Sequence, residues 1–361
     1  MYLENLDKDK YVLIEADNSN YQYMGRVDFE NIKAPTIIYA GSTIKTKFTG
    51  KSLKIAINNN GGGYESAIGF IIDGSISGKV VIEEHRKDIV LDVVEGLNEG
   101  IHELVLYKRA SACHYFDFYG VVLDKGCNLE LPDPKSNRKI ECFGDSVSAG
   151  EVSEAMDYVG KVDPEGHEGR MSNSWYSYSM IMARNLGAEI NNIAQGGIAV
   201  MDGTGYFNPD RGYLGLESTY DKLRYNPELG YCNEWDFSNY IPHVVIMALG
   251  QNDAHPYDYI DEDEEKRELW KAKYKNIILD LRSKYPDALF VIITTILCHN
   301  KGWDDALDEM TENINDEKIV RFKFSRNGSG TPGHIRIPEA EEMATELTEF
   351  IKSFGDSIWI K

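Results

Sequence analysis

The strongest constraint on this chain is a change of pattern near residue 138. Beyond it, five apolar strand-like runs (KIECF, EINNIA, HVVIMALG, LFVIITTI and IVRFKF) alternate with helical stretches. Runs this uniformly apolar leave no face for water, so both sides of the sheet they form must be covered. Strand-helix alternation from residue 139 to residue 361 therefore predicts a parallel sheet with helices on either side, a three-layer α/β/α sandwich. The helical stretches carry matching stripes. In RELWKAKYKNIILDLRSKY, Trp270, Tyr274, Ile277, Ile278 and Leu281 fall on one face. In PEAEEMATELTEFI, Met343, Leu347, Phe350 and Ile351 do the same, and Pro338 suits a first turn.

Residues 1–130 follow a different rule. TIIYAGSTIKTKFTG, SLKIAINNNGGG, SAIGFIIDGSISGKVVI, DIVLDVV and HELVLYKRA are short and rich in Val, Ile, Tyr and Thr, and Gly, Asn and Asp separate them. In TIKTKFTG, Ile44, Thr46 and Phe48 fall on one face, with Lys45 and Lys47 on the other. Many short strands with no helix between them predict a β-sandwich of jelly-roll type. The proline-rich, charged stretch at 131–138 reads as a linker, so 361 residues divide into a sandwich (1–130) and an α/β domain (139–361).

Charge narrows the function. With 38 basic and 59 acidic side chains the net charge is −21, which argues against nucleic acid and anionic membrane surfaces as partners and fits a neutral or cationic substrate. No apolar run approaches the length of a spanning helix, and the N-terminal stretch MYLENLDKDKYVL holds no signal-like apolar segment, so a cytoplasmic location is expected. Five scattered cysteines (Cys113, Cys127, Cys142, Cys232, Cys298), odd in number and in no CxxC pair, are expected to be reduced. The absence of HExxH, clustered Cys/His spacing or a phosphate loop predicts neither metal nor organic cofactor. The exposed edges of a small sandwich favour a homo-oligomer.

In an open parallel sheet, ligands bind beyond the carboxyl ends of the strands. Four segments there carry unusual residues. The first strand runs into GDSVSAG with Ser146, the second into QGGIAV with Gly196 and Gly197, and the third into QND with Asn252 and Asp253. The last is followed by GTPGHIRIPEAEEMA with His334. Each has an ordinary reading on its own: Gly, Asp and Ser are turn and cap residues, and Asn252 suits an Asx turn. Together they supply the parts of acyl transfer. Ser146 would be the nucleophile and a histidine its base, and the N–H of Ser146, the N–H of Gly197 and the Asn252 amide would be donors for an oxyanion. His255 and His299 also lie near strand ends, and His299 is the stronger rival to His334 as base. His85, His102, His114, His167 and His243 read as structural or solvated.

FGDSVSAG, AQGGIAV, ALGQND and the C-terminal histidine loop, in this order, resemble the four blocks of the SGNH (GDSL-type) hydrolases. With a β-sandwich ahead of them, and with FTGKSLKIAI, GFIIDG, EGIHELVLYKRA and FDFYGVVLDKGCNLELP, the chain resembles the family 2 carbohydrate esterases. That resemblance implies Ser146 as nucleophile, His334 as base and Ser146, Gly197 (rather than Gly196) and Asn252 as the oxyanion hole. It implies Asp145 as an organiser of its loop. Two positions depart from the pattern: Thr331 stands where an aspartate usually precedes the histidine by three residues, and Ile335 stands where a proline usually follows it. The group orienting His334 is then a backbone carbonyl or another side chain. The implied activity is removal of acetyl groups from xylan-derived or related acetylated oligosaccharides. Hydrolysis of lipid esters or thioesters, or sugar binding without hydrolysis, are the alternatives. Trp303, in HNKGWDDA, is the candidate for stacking on a sugar ring, against the alternative that it anchors its loop.

Overall fold

The computed structural model describes residues 1–361 except 62–65, 83–86, 112–113, 168 and 361, so His85 and Cys113 lie outside the described residues. The chain packs as two compact units. The first comprises Met1–Lys135, Glu168–Arg170 and Leu223–Asn233, and the second Ser136–His167, Met171–Lys222 and Glu234–Lys361.

In the first unit two antiparallel sheets of six strands enclose one core. One is centred on Tyr115–Asp124 beside Leu53–Asn60, the other on Ile101–Lys108 between Thr43–Thr49 and Ser66–Ile72. The alternation read from the sequence holds: Ile44, Thr46 and Phe48 are buried while Lys45 and Lys47 are half-buried. Ile55, Ile57, Phe116 and Phe118 of one sheet share a core with Ile68, Phe70, Leu104 and Leu106 of the other, which makes this a β-sandwich. The long strand Tyr115–Asp124 shifts register between Phe118 and Gly120. A Cβ on Gly120 would lie 2.0 Å from the Ile14 carbonyl oxygen, so only glycine allows the neighbouring strand to approach there.

The second unit is built on five parallel strands in the order Glu189–Ala194, Lys139–Gly144, Val244–Ala248, Leu289–Ile293, Ile319–Arg321. The first strand in sequence lies second in space, so connections leave it in both directions. A crevice therefore opens at the carboxyl ends of Lys139–Gly144 and Val244–Ala248. The helix Glu264–Lys284 buries Trp270, Tyr274, Ile277, Ile278 and Leu281, the stripe expected from spacing. The helix Ile337–Lys352 buries Met343, Leu347 and Ile351, while its Phe350 stacks on Phe322 at a centroid distance of 4.6 Å.

Trp303 corrects one expectation. It lies inside a helix, Lys301–Glu312, capped by Asn300, and its spacing with Ala306, Leu307 and Met310 buries all four. Its indole is fully buried, edge-on to Trp270 (5.2 Å between centroids) and Tyr259 (5.1 Å). It offers no face to a sugar; it locks two helices together. Trp303→Ala should cost about 3–5 kcal/mol, as other large-to-small aromatic truncations in cores do. Urea unfolding monitored on the second unit checks this, and a loss below about 1 kcal/mol would contradict the packing role.

Candidate functional site

Three strand ends and two loops build one rim in the second unit. The strand Lys139–Gly144 stops at Asp145, whose side chain accepts from the Val147 N–H at 2.9 Å and caps the short helix Ser146–Ala149. A Cβ on Gly144 would sit 2.1 Å from Ser148 Oγ, so the turn needs glycine to close. Ser146 is buried but for a small part of its surface. Its backbone N–H, at the start of the helix, has no acceptor among the described residues.

Asp145 is wholly buried and reaches two ways. Besides Val147 it accepts from Gln251 Nε2 at 2.7 Å and, weakly, from Asn252 Nδ2 at 3.5 Å. Gln251 Oε1 in turn accepts from the Thr295 hydroxyl at 2.7 Å, so one polar chain ties the ends of three adjacent strands. Burial pushes the Asp145 carboxyl up to about 6, against the hydrogen bonds from Val147 and Gln251 that favour its ionised form. It touches neither ring nitrogen of His334.

The loop after Glu189–Ala194 carries the two glycines. Gly197 has φ +75°, in the left-handed region, and a Cβ there would meet Tyr206 Cβ at 2.8 Å. Its N–H has no acceptor among the described residues. Asp253, also buried, holds this loop by accepting from Val200 N (2.8 Å), Met201 N (3.1 Å) and the Thr204 hydroxyl (3.0 Å). Burial raises its carboxyl to about 6. Asn252 gives one amide hydrogen to Ile198 O at 2.9 Å, and the long contact to Asp145 leaves the other weakly engaged.

His334 is oriented by a residue the sequence reading missed. Its Nδ1 lies 2.6 Å from Asp163 Oδ2, and its backbone N–H donates to Asp163 Oδ1 at 2.9 Å. The Arg336 guanidinium, fully buried, donates to the same Oδ1 at 2.9 Å and to the His334 carbonyl oxygen. Burial opposes ionisation of Asp163, yet the bonds from His334 and Arg336 outweigh it and hold its carboxyl well below the usual range. For His334, burial disfavours the charged ring; the Asp163 bond and the charges of Glu151, Asp163 and Asp145 outweigh it, and the net shift is upward. Gly333 makes the approach of the two loops possible. A Cβ on it would lie 2.5 Å from Lys161 O and 2.8 Å from Asp163 Oδ1.

Thr331 is buried, pairs with Leu297 in a parallel bridge, and its hydroxyl has no hydrogen-bond partner among the described residues. The other histidines fall away as bases. His299 is held by Leu297 O (2.6 Å) and Asp304 (3.1 Å), and its side chain is only 3% exposed. His255 lies against Tyr206 and Tyr213. Glu151 links the two ends of the site: its backbone N–H donates to Ser146 O at 3.0 Å and its Oε2 lies 4.0 Å from His334 Nε2. No hydrogen bond joins Ser146 Oγ to His334 among the described residues. Such contacts commonly tighten only in the substrate complex.

An imidazole bonded to a carboxylate, a serine at a strand-to-helix turn and backbone N–H groups without acceptors among the described residues thus stand on one α/β unit, in a chain that begins with a β-sandwich. Comparison with known proteins makes this particular. Residues 23–134 match the family model "Carbohydrate esterase 2 N-terminal". The cellulase/esterase CelE of Acetivibrio thermocellus is 31% identical over 351 residues, covering 94% of this chain, which spans only 40% of CelE's length. The acetylxylan esterase / glucomannan deacetylase of Cellvibrio japonicus is 24% identical and is covered over 91% of its length, using 95% of this chain. A family two carbohydrate esterase from Clostridium thermocellum, solved in complex with cellohexaose, superposes with a TM-score of 0.77 at 28% identity, over 94% of this chain and 100% of that one. In both of its domains, therefore, the chain resembles the family 2 carbohydrate esterases.

The Asp163 contact can be tested without turnover. Removing the anion from Nδ1 removes a stabiliser of imidazolium, so Asp163→Asn should lower the pKa of His334. NMR titration of the ring nitrogens reads this directly, and an unchanged midpoint would mean that Asp163 does not engage the ring in solution.

Proposed function

We propose that this chain is a serine esterase that removes O-acetyl groups from acetylated plant-type saccharides, with short xylan-derived oligosaccharides as its substrates. The observation that carries the reading is the 2.6 Å contact between Asp163 and His334 Nδ1, on loops of the same unit whose first strand leads into Ser146. The likeness to carbohydrate esterases supports the substrate class. The net charge of −21 suits an uncharged saccharide.

In this reading Ser146 Oγ attacks the acetyl carbonyl carbon while His334 Nε2 takes its proton. The carbonyl π electrons move to oxygen, and the oxyanion lies among the N–H groups of Ser146 and Gly197 and the Asn252 amide. Collapse of the intermediate breaks the bond to the sugar oxygen, which receives the proton from His334. Water, deprotonated by the same nitrogen, then attacks the acetyl-serine; the bond from the acyl carbon to Ser146 Oγ breaks, Oγ takes the proton back from His334, and acetate leaves. Asp163 fixes the ring with Nε2 toward Ser146 and stabilises the imidazolium formed at each step. Asp145 serves the turn, not the ring.

Acetate release from acetylated xylo-oligosaccharides, run beside a long-chain ester, tests the assignment. Ser146→Ala should abolish release without changing the unfolding midpoint, and retained turnover would remove the nucleophile. Long-chain ester hydrolysis faster than deacetylation would move the chain to a lipid-ester specificity. Because His334 acts unprotonated and its pKa lies above the ordinary 6.5, the rate should climb with pH and level off only above that value. Asp163→Asn should lower kcat by roughly 10⁴, the scale seen when a triad loses its acid. A kcat within about threefold of the parent would contradict the triad.

A further inference from the structure

Gln251 immediately precedes the proposed oxyanion donor Asn252, is buried, and has both ends of its side-chain amide engaged. A chain of donors fixes which end faces which partner. The Leu297 backbone N–H donates to Thr295 Oγ1 at 3.2 Å, so the Thr295 hydroxyl proton turns to Gln251 Oε1 at 2.7 Å. Nε2 is then the end that meets Asp145, at 2.7 Å. The far end of this chain is anchored as well. Thr295 is fully buried, and its carbonyl oxygen accepts from the Gly328 N–H at 3.0 Å.

The end at Asp145 is shared. Gln251 Nε2 donates to Oδ2, and Asn252 Nδ2 lies 3.5 Å from that same oxygen, while Oδ1 accepts from the Val147 N–H. A buried carboxylate that has lost its water draws in the donors nearest to it, because an unsatisfied charge in the interior is expensive. Gln251 meets that demand at close range. Without it, the next side-chain donor in reach of Oδ2 among the described residues is the Asn252 amide. Its other hydrogen is already given to Ile198 O at 2.9 Å. An Asn252 drawn onto Asp145 would then have both hydrogens engaged within the protein and none for an oxyanion.

Resting on the esterase reading, we propose that Gln251 is a positioning residue for the oxyanion hole: by satisfying Asp145 Oδ2 it keeps one Asn252 amide hydrogen available to the transition state. Gln251 acts through Asp145 and Asn252, not on the substrate. Its contribution falls on kcat, because the oxyanion exists only beyond the ground state.

Gln251→Met keeps the length of the side chain and removes both polar ends. With acetylated xylobiose it should lower kcat at least about tenfold and leave KM within about twofold. Asn252→Ala alone should lower kcat on the order of 10²–10³, and adding Gln251→Met to it should cost less than about threefold more, because the amide it guards is gone. Independent, multiplicative losses overturn the proposal, as does a Gln251→Met kcat within about twofold of the parent. In a crystal structure of Gln251→Met, Asn252 Nδ2 should stand about 3 Å from Asp145 Oδ2; an unmoved Asn252 overturns it too. Should Gln251→Met fail to fold, Thr295 decides. Thr295→Val should lower kcat at least about fivefold while Thr295→Ser, which keeps the hydroxyl, retains parental turnover, and equal rates for the two overturn the proposal. Failure of the esterase reading looks different: the parent would release no acetate from acetylated xylobiose or 4-nitrophenyl acetate, while Asn252 still closed on Asp145 in the variant crystal.

Discussion

One carboxylate organises the chemistry of this rim. Asp163 accepts from the His334 ring, the His334 backbone and the buried Arg336 guanidinium, so both of its oxygens are used by His334 and the residue two places after it. A half-buried anion of this kind is stable only because charge-assisted donors replace the water it lost. Arg336 also closes the unit on itself: its guanidinium donates to the His334 carbonyl, and its backbone N–H donates to Glu339 Oε2, whose other oxygen accepts from Gly160 N. His334, Asp163 and the first turn of the helix Ile337–Lys352 are thus one hydrogen-bonded body, with the imidazole held at Nδ1 by the Asp163 carboxylate.

The opposite wall is fixed by a second kind of anchor. Asp145 and Asp253 are both fully buried, and both are raised toward neutrality by the loss of water. Neither sits in a salt bridge among the described residues; Asp145 accepts from Val147 N and the Gln251 amide, and Asp253 from Val200 N, Met201 N and the Thr204 hydroxyl in the loop that follows Gly197. Rigid loops matter here because donors for a transient oxyanion act well only if they are already in position. The buried carboxylates serve that end at a cost in desolvation, which fits the tendency of functional sites to hold polar groups the core would otherwise exclude.

How much of this could be read from residues alone follows from range. The parallel sheet and the stripe from Trp270 to Leu281 were legible because they rest on local periodicity. So were Ser146, Gly197, Asn252 and His334 as candidates, since each stands just beyond a recognisable strand or in the loop that opens the last helix. Asp163 was not. It lies 171 residues from His334, in KVDPEG, where Asp-Pro reads as turn chemistry, and nothing local distinguishes it. Trp303 was misread for the opposite reason. Its helical spacing with Ala306, Leu307 and Met310 was present, but GWDDA after a strand looked like loop, and Asn300 was not recognised as the cap that starts a helix.

Moving the acid away from the histidine in sequence changes what the fold must guarantee. An aspartate three residues before the base would travel with it; Thr331 in that place is instead turned into the core. Here Asp163 and His334 arrive on separate loops, and their meeting depends on Gly333, where even a methyl group would push against Lys161 O and Asp163. A local pair gains its geometry from one turn, whereas this pair gains it from the closure of a loop that spans residues 150–167 onto the C-terminal helix. The same loop carries both Glu151 and Asp163, so a single segment places carboxylates near both nitrogens of one imidazole. The surroundings of the two ring nitrogens are consequently coupled: a shift of that loop alters both.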